Sequence, residues 1–354
     1  MMCDVSHIGG CSMKNRATGR LVVAMVALAI VGLVAGGVLG QQLGTKEKPI
    51  QMLFPPSTNT SVIQASADAI VNYIFQETGL YVVPRVAADY AAGVEAFRTA
   101  QEDVFGIPTT TMYLDIYKAT NGGVYPVMAA VRKGYTFYFS SFYALRSKGY
   151  TSIQDLAGKI WIYNDRGSAS GYKYPKVALD EAGVVPNPQT IETGGHPASL
   201  AALLQGQGDF CTSFGSPPIA PQCLRDQGIQ WNWGDDPELM VWDRYNNALV
   251  RDGLRWACED LRFSVLKDYP DVFAKAGIVA VVGPIPNDCL AFVSNFPADL
   301  KDKLVAALVK HISTPEGFAI WNNAKFYQWS GMQPVTDEYY DIARKALGYE
   351  VPKR

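Results

Sequence analysis

The stretch YNDRGSASGYKYP, Tyr163 to Pro175, decides how this chain is read. It follows an apolar run, crowds Gly and Ser together, and opens what reads as a helix. Three chemistries place small hydroxyl residues and glycines at such a junction. A hydrolase elbow needs G-x-S-x-G with the nucleophile at its centre. Here Ala169 holds that centre between Gly167 and Gly171, and neither Ser168 nor Ser170 has the required flanks. A nucleotide phosphate loop needs G-x-x-x-x-G-K-[ST]. From Gly167 the next Gly comes too early, Lys173 does not follow it directly, and Tyr174 replaces the hydroxyl. What survives is a cradle for a free anion or, on composition alone, an ordinary helix-capping turn. In a cradle, glycines turn backbone N–H groups inward, Ser168 and Ser170 add hydroxyl donors, and the following helix adds its positive dipole end. Each charge-assisted hydrogen bond contributes roughly 1.5–3 kcal/mol. Four or five reach about −8 kcal/mol, a micromolar affinity, after association costs.

Outward from this turn, strand-like and helix-like pieces alternate from Pro49 onward. PIQMLFP reads as a strand, and SVIQASADAIVNYIFQETG has helical apolar spacing that stops at Gly79, a natural C-cap. LYVVPRVA, YAAGVEAFRTAQ and DVFGIP read as strand, helix and buried strand. TTTMYLDIYKATNGG opens with hydroxyl residues suited to N-capping and closes on Gly-Gly. After Tyr163–Pro175 come a helix PKVALDEAG, a helix HPASLAALLQGQ and a strand DFCTSF. ADLKDKLVAALVKHI is an amphipathic helix, and YYDIARKALGY a final short one. Such alternation predicts a mostly parallel sheet with helices on its faces. Two extended runs, near Thr136–Lys148 and Ile278–Val293, divide the pattern into two α/β lobes with a double hinge. Ligands of open α/β sheets sit beyond the carboxyl ends of strands, where helix N-termini point. Two lobes face two such edges across one cleft. The Trp-rich segment Ala220–Lys275 reads as an elaboration of the second lobe, with Trp231, Trp233, Trp242 and Trp256 expected to pack inside it.

Composition allows this. The chain has 354 residues, 48% hydrophobic and 18% charged, enough for two cores. Its net charge of −2, with both signs interspersed, gives no footprint for nucleic acid or an anionic membrane surface. At the N-terminus, basic KNRATGR precedes the unbroken apolar run Leu21–Gly40 and polar QQLGTKEKP. That layout is an export signal, or an anchor retained in the membrane, since the run reaches the ~20 residues a spanning helix needs. The remainder is then extracytoplasmic, periplasmic or at the cell surface. Cys211, Cys223, Cys258 and Cys289 are an even set in an exported chain and are expected to pair as disulfides, in an order the spacing does not choose. Only His196 and His311 follow the signal, too few and too far apart for a zinc site, and no cofactor is expected.

The motifs in order resemble the periplasmic phosphonate-binding proteins of ABC importers. In that family DLxGK leads through a strand into DPxSTSGxxxP. Here DLAGK (Asp155 to Lys159) leads into DRGSASGYKYP. TGLYVVPRVAADYAAGVEAFRTAQEDVFGIP, GGHPASLAALLQGQGDF and GPIPND likewise match family motifs, so that the likeness runs from about Ile50 to Leu308, with Ala220–Lys275 poorly matched. It implies an α/β, type II two-lobed binding-protein fold, each lobe a mixed sheet flanked by helices, joined by two hinge strands. The division it implies is a signal or anchor at 1–40, a linker at 41–48, a first lobe of 49–146 and 286–354, and a second lobe of 147–285. It further implies a monomer that captures a phosphonate, phosphite or phosphate, passes it to a membrane permease, and performs no chemistry.

Residue by residue, the resemblance makes Ser168 and Ser170, with the backbone of Ala169 and Gly171, donors to phosphoryl oxygens. Tyr90 reaches across from the first lobe, and His196 completes the pocket at another helix start. Thr109 and Thr110 stand at a first-lobe cleft contact, and Tyr138 in the aromatic hinge run is a further contact. Two departures bear on the ligand. Ala169 stands where the family usually has Thr, and Arg166, in place of the usual Pro, is expected to supply a cation. FPPSTNTS also lacks the Glu that tends to serve a ligand's ammonium group, which favours phosphite, phosphate or a short alkylphosphonate over an aminoalkyl one. The rival readings are a sensor anchored through Leu21–Gly40 and, more remotely, an enzyme on the same fold.

Overall fold

The computed structural model describes residues 42–57, 59–231, 241–243, 248–257, 260–323 and 325–354. The signal or anchor at 1–40 lies outside them, as do Cys258, Trp233 and the side chain of Trp242.

The first sheet is built from β1 (Ile50–Phe54), β2 (Val82–Val86), β3 (Val104–Gly106) and β4 (Val124–Val131). Helices α1 (Thr60–Thr78), α2 (Tyr90–Arg98) and α3 (Thr110–Ala119) connect them. The local signals act as read: Asn59 Oδ1 caps α1 by accepting the Ser61 N–H at 2.9 Å, and Gly79 ends it at φ 73°. Only glycine takes that left-handed φ without steric cost. After β5 (Phe137–Leu145) the second sheet adds β6 (Trp161–Tyr163), α4 (Tyr174–Glu181), β7 (Ile191–Glu192), α5 (His196–Leu204) and β8 (Phe210–Gly215).

The segment between 220 and 275 holds α6 (Gln222–Arg225), a small sheet of β9 (Val241–Asp243), β10 (Ala248–Arg251) and β11 (Leu254–Trp256), then α7 (Leu261–Val265) and α8 (Val272–Lys275). Trp231 and Trp256 are buried within it. The long strand β12 (Ala276–Pro286) returns to β13 (Cys289–Val293), α9 (Ala298–Ser313), α10 (Pro315–Trp321), β14 (Gly331–Pro334) and α11 (Asp341–Ala346).

Strand order is β14-β4-β13-β3-β1-β2 in the first sheet and β12-β5-β8-β6-β7 in the second. Both are mixed, which corrects the mostly parallel arrangement that alternation alone predicts. Strands joined by helical crossovers pair parallel, as β1 does with β2 and β3, and β6 with β7 and β8. The returning strands run antiparallel: β12 on β5, β5 on β8, and β13 on β3 and β4. The two hinge runs pair with each other, Phe137 opposite Pro286 through Leu145 opposite Ala276. The chain passes between sheets at residues 132–136 and 287–288, so β5 belongs to the second sheet although it lies within the 49–146 segment.

Each sheet has its own core. Phe105 stacks on Phe292 at 5.0 Å in the first, and Phe139 meets Trp231 at 5.3 Å in the second. The cysteines require a correction: Cys211, Cys223 and Cys289 are free thiols. Cys211 and Cys289 sit on strands of different sheets, each fully buried in a separate core, while Cys223 is exposed. Cys211 and Cys289 act as small apolar packing groups, and burial raises the Cys211 thiol pKa.

Candidate ligand site

Ser168 caps a wide turn of π-helical pitch, Ala169–Lys173, that runs directly into α4. Its Oγ accepts the Gly171 N–H at 3.1 Å, which leaves the hydroxyl hydrogen to donate. The carbonyls of the turn are drawn back into protein. Ser140 Oγ donates to Ser170 O at 2.6 Å, Thr212 Oγ1 to Gly171 O at 2.5 Å, and Thr111 Oγ1 to Gly167 O at 2.6 Å. Thr212 is itself held by the Trp161 indole N–H at 2.7 Å. The Gly171 N–H is taken by Ser168 Oγ and those of Tyr172 and Lys173 by Ser168 O, so the backbone donors left to the open side are the first two N–H groups of the turn, Ala169 and Ser170. Gly171 is required by close approach: a Cβ there would lie 1.7 Å from Asn164 Oδ1 and 2.9 Å from Ser168 Oγ.

A cavity of about 700 Å³ opens on the turn. The structure brings Ser168, Ala169, Ser170, Tyr90, Thr109, Tyr138 and His196 together on its walls. Three of the residues named from sequence are elsewhere. Gly171 supports the turn from behind, and Thr110 Oγ1 is occupied by the Pro286 carbonyl. Arg166 corrects the expectation of a pocket cation. Its side chain is 68% exposed, its Nε donates to Tyr163 Oη at 3.2 Å, and it lies over the Tyr172 ring and near Glu192. Those partners hold it on the outer side, away from the cavity.

The titrating groups on the walls are tuned as neutral donors. Burial, then the negative charges of Asp165 and Asp288, push the Tyr90 hydroxyl pKa up. Tyr138 rises for the same first reason and again from Asp288. Burial drives the His196 imidazole down to about 4, so that it is neutral near pH 7. Its Nδ1 is engaged with Ser213 Oγ at 2.6 Å, and the edge of the Phe214 ring fixes its plane at 5.4 Å.

Sequence reasoning missed the charged clasp of this cavity. Arg132, just after β4, donates from Nε to Tyr327 O at 2.8 Å and from Nη1 to Asn287 Oδ1 at 3.1 Å, and its Nη2 meets the Asp288 carboxylate. The pair bridges the two chain crossings, lines the cavity and is mostly buried, at 16% and 8% side-chain exposure. Asp288 stood in the GPIPND motif and was legible there. Arg132 has no motif, and Ser57 and Tyr327, which also line the cavity, reach it only through the fold.

Two mixed α/β sheets joined by paired hinge strands, with a donor-lined cavity at helix starts, define the type II periplasmic binding-protein class. Comparison with known proteins narrows this. Residues 52–340 match the family described as ABC transporter, phosphonate, periplasmic substrate-binding protein, and the chain belongs to that family. It is 28% identical over 220 residues to the phosphate-import protein PhnD of Mycolicibacterium smegmatis, covering 57% of this chain and 67% of that one. Its fold is similar to a binding-protein component of an ABC phosphonate transporter from Pseudomonas aeruginosa, with TM-score 0.62, 16% identity, and 84% and 85% of the two chains covered. PhnD1 from Prochlorococcus marinus, solved with methylphosphonate, has TM-score 0.59, 14% identity, and 84% and 96% covered. The family is one of extracytoplasmic transport proteins that serve a membrane permease and is not a family of enzymes. Among the described residues no helix is long and apolar enough to cross a membrane.

Proposed function

We propose that this protein captures a phosphorus oxyanion, as phosphonate, phosphite or phosphate, and delivers it to its permease without altering it. The lobes, which part at the 132–136 and 287–288 crossings, close on the ligand there. Ser168 and Ser170 hydroxyls and the Ala169 and Ser170 N–H groups bind the phosphoryl oxygens. Tyr90, Tyr138 and Thr109 donate from the other walls. With Ser213 donating to Nδ1, His196 carries its proton on Nε2 and adds one more donor. The observation that carries this reading is the turn itself, where the Gly167, Ser170 and Gly171 carbonyls are drawn back into protein while Ser168 and Ser170 line the cavity.

The Arg132–Asp288 pair refines the ligand's charge. Asp288 alone would attract a cationic substituent, but its carboxylate is already matched by a guanidinium. This supports an uncharged substituent over an aminoalkyl one. The PhnD relative is named for phosphate import and the Prochlorococcus protein was solved with methylphosphonate, which supports both as ligands to test.

The test is a thermal-shift panel of phosphite, phosphate, methylphosphonate, aminoethylphosphonate and sulfate, followed by titration calorimetry. A ligand at a hundred times its Kd stabilises by about 2.7 kcal/mol, an easily read rise in Tm. Phosphorus oxyanions should raise Tm and aminoethylphosphonate should trail methylphosphonate. A panel in which none of the phosphorus compounds shifts Tm would remove the reading.

A further inference from the structure

The cavity is far larger than the anion its donors suit. At about 700 Å³ it falls in the range of sites for drug-sized ligands. A bare tetrahedral oxyanion takes up the room of about three waters, roughly 90 Å³. The donors assigned to the phosphoryl group, Ser168, Ser170, His196, Tyr90, Tyr138 and Thr109, all come from outside residues 219–264. Ten of the described lining residues fall between 219 and 264, the segment added to the second lobe. Four of them, Ile219, Pro221, Trp256 and Phe263, present apolar surface, and Phe326 faces the same cavity from the first lobe.

The buried charges along this wall are matched within the protein. Asp260 and Arg262 pair at 2.7 Å with 3% exposure each, and Arg132 pairs with Asp288. Among the described residues this wall has apolar area to offer a ligand and its buried charges are matched, while Arg225 and Arg255, which also line the cavity, are exposed.

Resting on the phosphoryl-capture reading above, we propose that the wall of Ile219, Pro221, Trp256 and Phe263 is a second subsite, for an apolar or aromatic substituent on the phosphorus ligand. The preferred substrate class is then an organophosphonate or phosphate monoester with a bulky uncharged group, in place of the short alkylphosphonate that motifs alone favour. The substituent lies against Trp256 and Phe263 while the phosphoryl group sits on the Ser168 turn. Burying an aromatic ring in such a site is rewarded by the apolar area it removes from water.

The experiment is titration calorimetry on the full chain with inorganic phosphate, methylphosphonate and phenylphosphonate. Phenylphosphonate should bind ten- to a hundredfold more tightly than methylphosphonate. Phe263→Ala should reduce that ratio at least fivefold. Since Phe263 also packs on Phe273 at 5.0 Å, a second variant guards against misfolding. Ser264→Phe, at an exposed lining position, fills the subsite from its surface side and should reduce the ratio similarly. Equal or weaker binding of phenylphosphonate beside measurable methylphosphonate binding overturns the second subsite and leaves phosphoryl capture standing. Binding of none of the three overturns both.

Discussion

Closure of the cleft on its ligand can be tested at one atom, the missing Cβ of Gly167. This glycine lies in the loop after β6 of the second sheet, and the group facing it is Tyr90 at the start of α2, on the first. A Cβ at 167 would stand 2.6 Å from Tyr90 Cβ and 3.1 Å from its Cγ. The Gly167 backbone is outside the left-handed region, so alanine is allowed locally and the clash is with the opposite side of the cleft. Relieving it requires the two sides to part by roughly 1 Å at this point. The same movement stretches the bond from Thr111 Oγ1 to Gly167 O, now 2.6 Å. Overpacking of this kind costs about 1–3 kcal/mol and the hydrogen bond about 0.5–1.5 kcal/mol. Gly167→Ala should therefore cost roughly 2–4 kcal/mol in the closed form alone, a thirty- to several-hundredfold loss of affinity. Titration calorimetry with phosphate or methylphosphonate reads the affinity, and urea unfolding of the ligand-free protein reads the fold. Affinity within threefold of the wild type, or a loss of stability with no loss of affinity, would refute the reasoning.

Other consequences can be measured alongside. Ser168→Ala removes a donor to an anion and the N-cap of its turn, and should weaken binding by about 1.5–3 kcal/mol while costing about 1 kcal/mol of stability. An affinity unchanged within twofold would take Ser168 out of the site. Lys173, whose ammonium meets the Asp115 carboxylate and lies 2.9 Å from Tyr349 Oη, ties the turn to α3 and the C-terminal tail. Lys173→Met should weaken binding about fivefold at low salt and less at high salt, and a loss independent of salt would argue against an electrostatic tie. Arg132→Met leaves the Asp288 carboxylate buried and unpaired, at a cost of about 3–5 kcal/mol in urea unfolding. Adding Asp288→Asn should restore most of it, and a double variant no more stable than the single would refute the pairing.

The folded-state pKa of His196 lies below its unfolded value of about 6.5, at about 4. The unfolded state then binds the extra proton between those values, so stability is full above about pH 6.5 and declines as pH falls toward 4. The decline approaches roughly 3 kcal/mol. His311, also lowered by burial, adds to the same limb. His196→Gln should flatten the slope between pH 6.5 and 4 and leave the His311 part; an unchanged slope would refute the assignment.

Much of the fold was written in local chemistry. The period of apolar residues, the Gly79 cap, the hydroxyl caps of α3 and the Gly-Ser turn each specify their own element over a few residues, whatever the rest of the chain does. They located α1 to α5, α9 and α11, the strands β1, β2, β3 and β8, and the extended runs that hold β5, β12 and β13, since a helix start and a glycine's freedom are properties of adjacent residues; the elements within 220–275, α10, β4 and β14 were not read. Strand direction, the partnering of β5 with β12 and the three free thiols depend on which distant segments meet, and neighbours along the chain carry no record of that. The side chain of Arg166 shows the division at the site. Its position in the motif was readable, but Tyr163, Tyr172 and Glu192 draw it outward, and only their placement in space could show it. The clasp of Arg132 on Asp288 spans 156 positions, and the apolar wall reaches the donor turn only because β8 and α7 fold beside it. Local sequence determined that a Gly-Ser turn opens a helix here; tertiary packing decided its neighbours, because burial and charge pairing depend on distance in space.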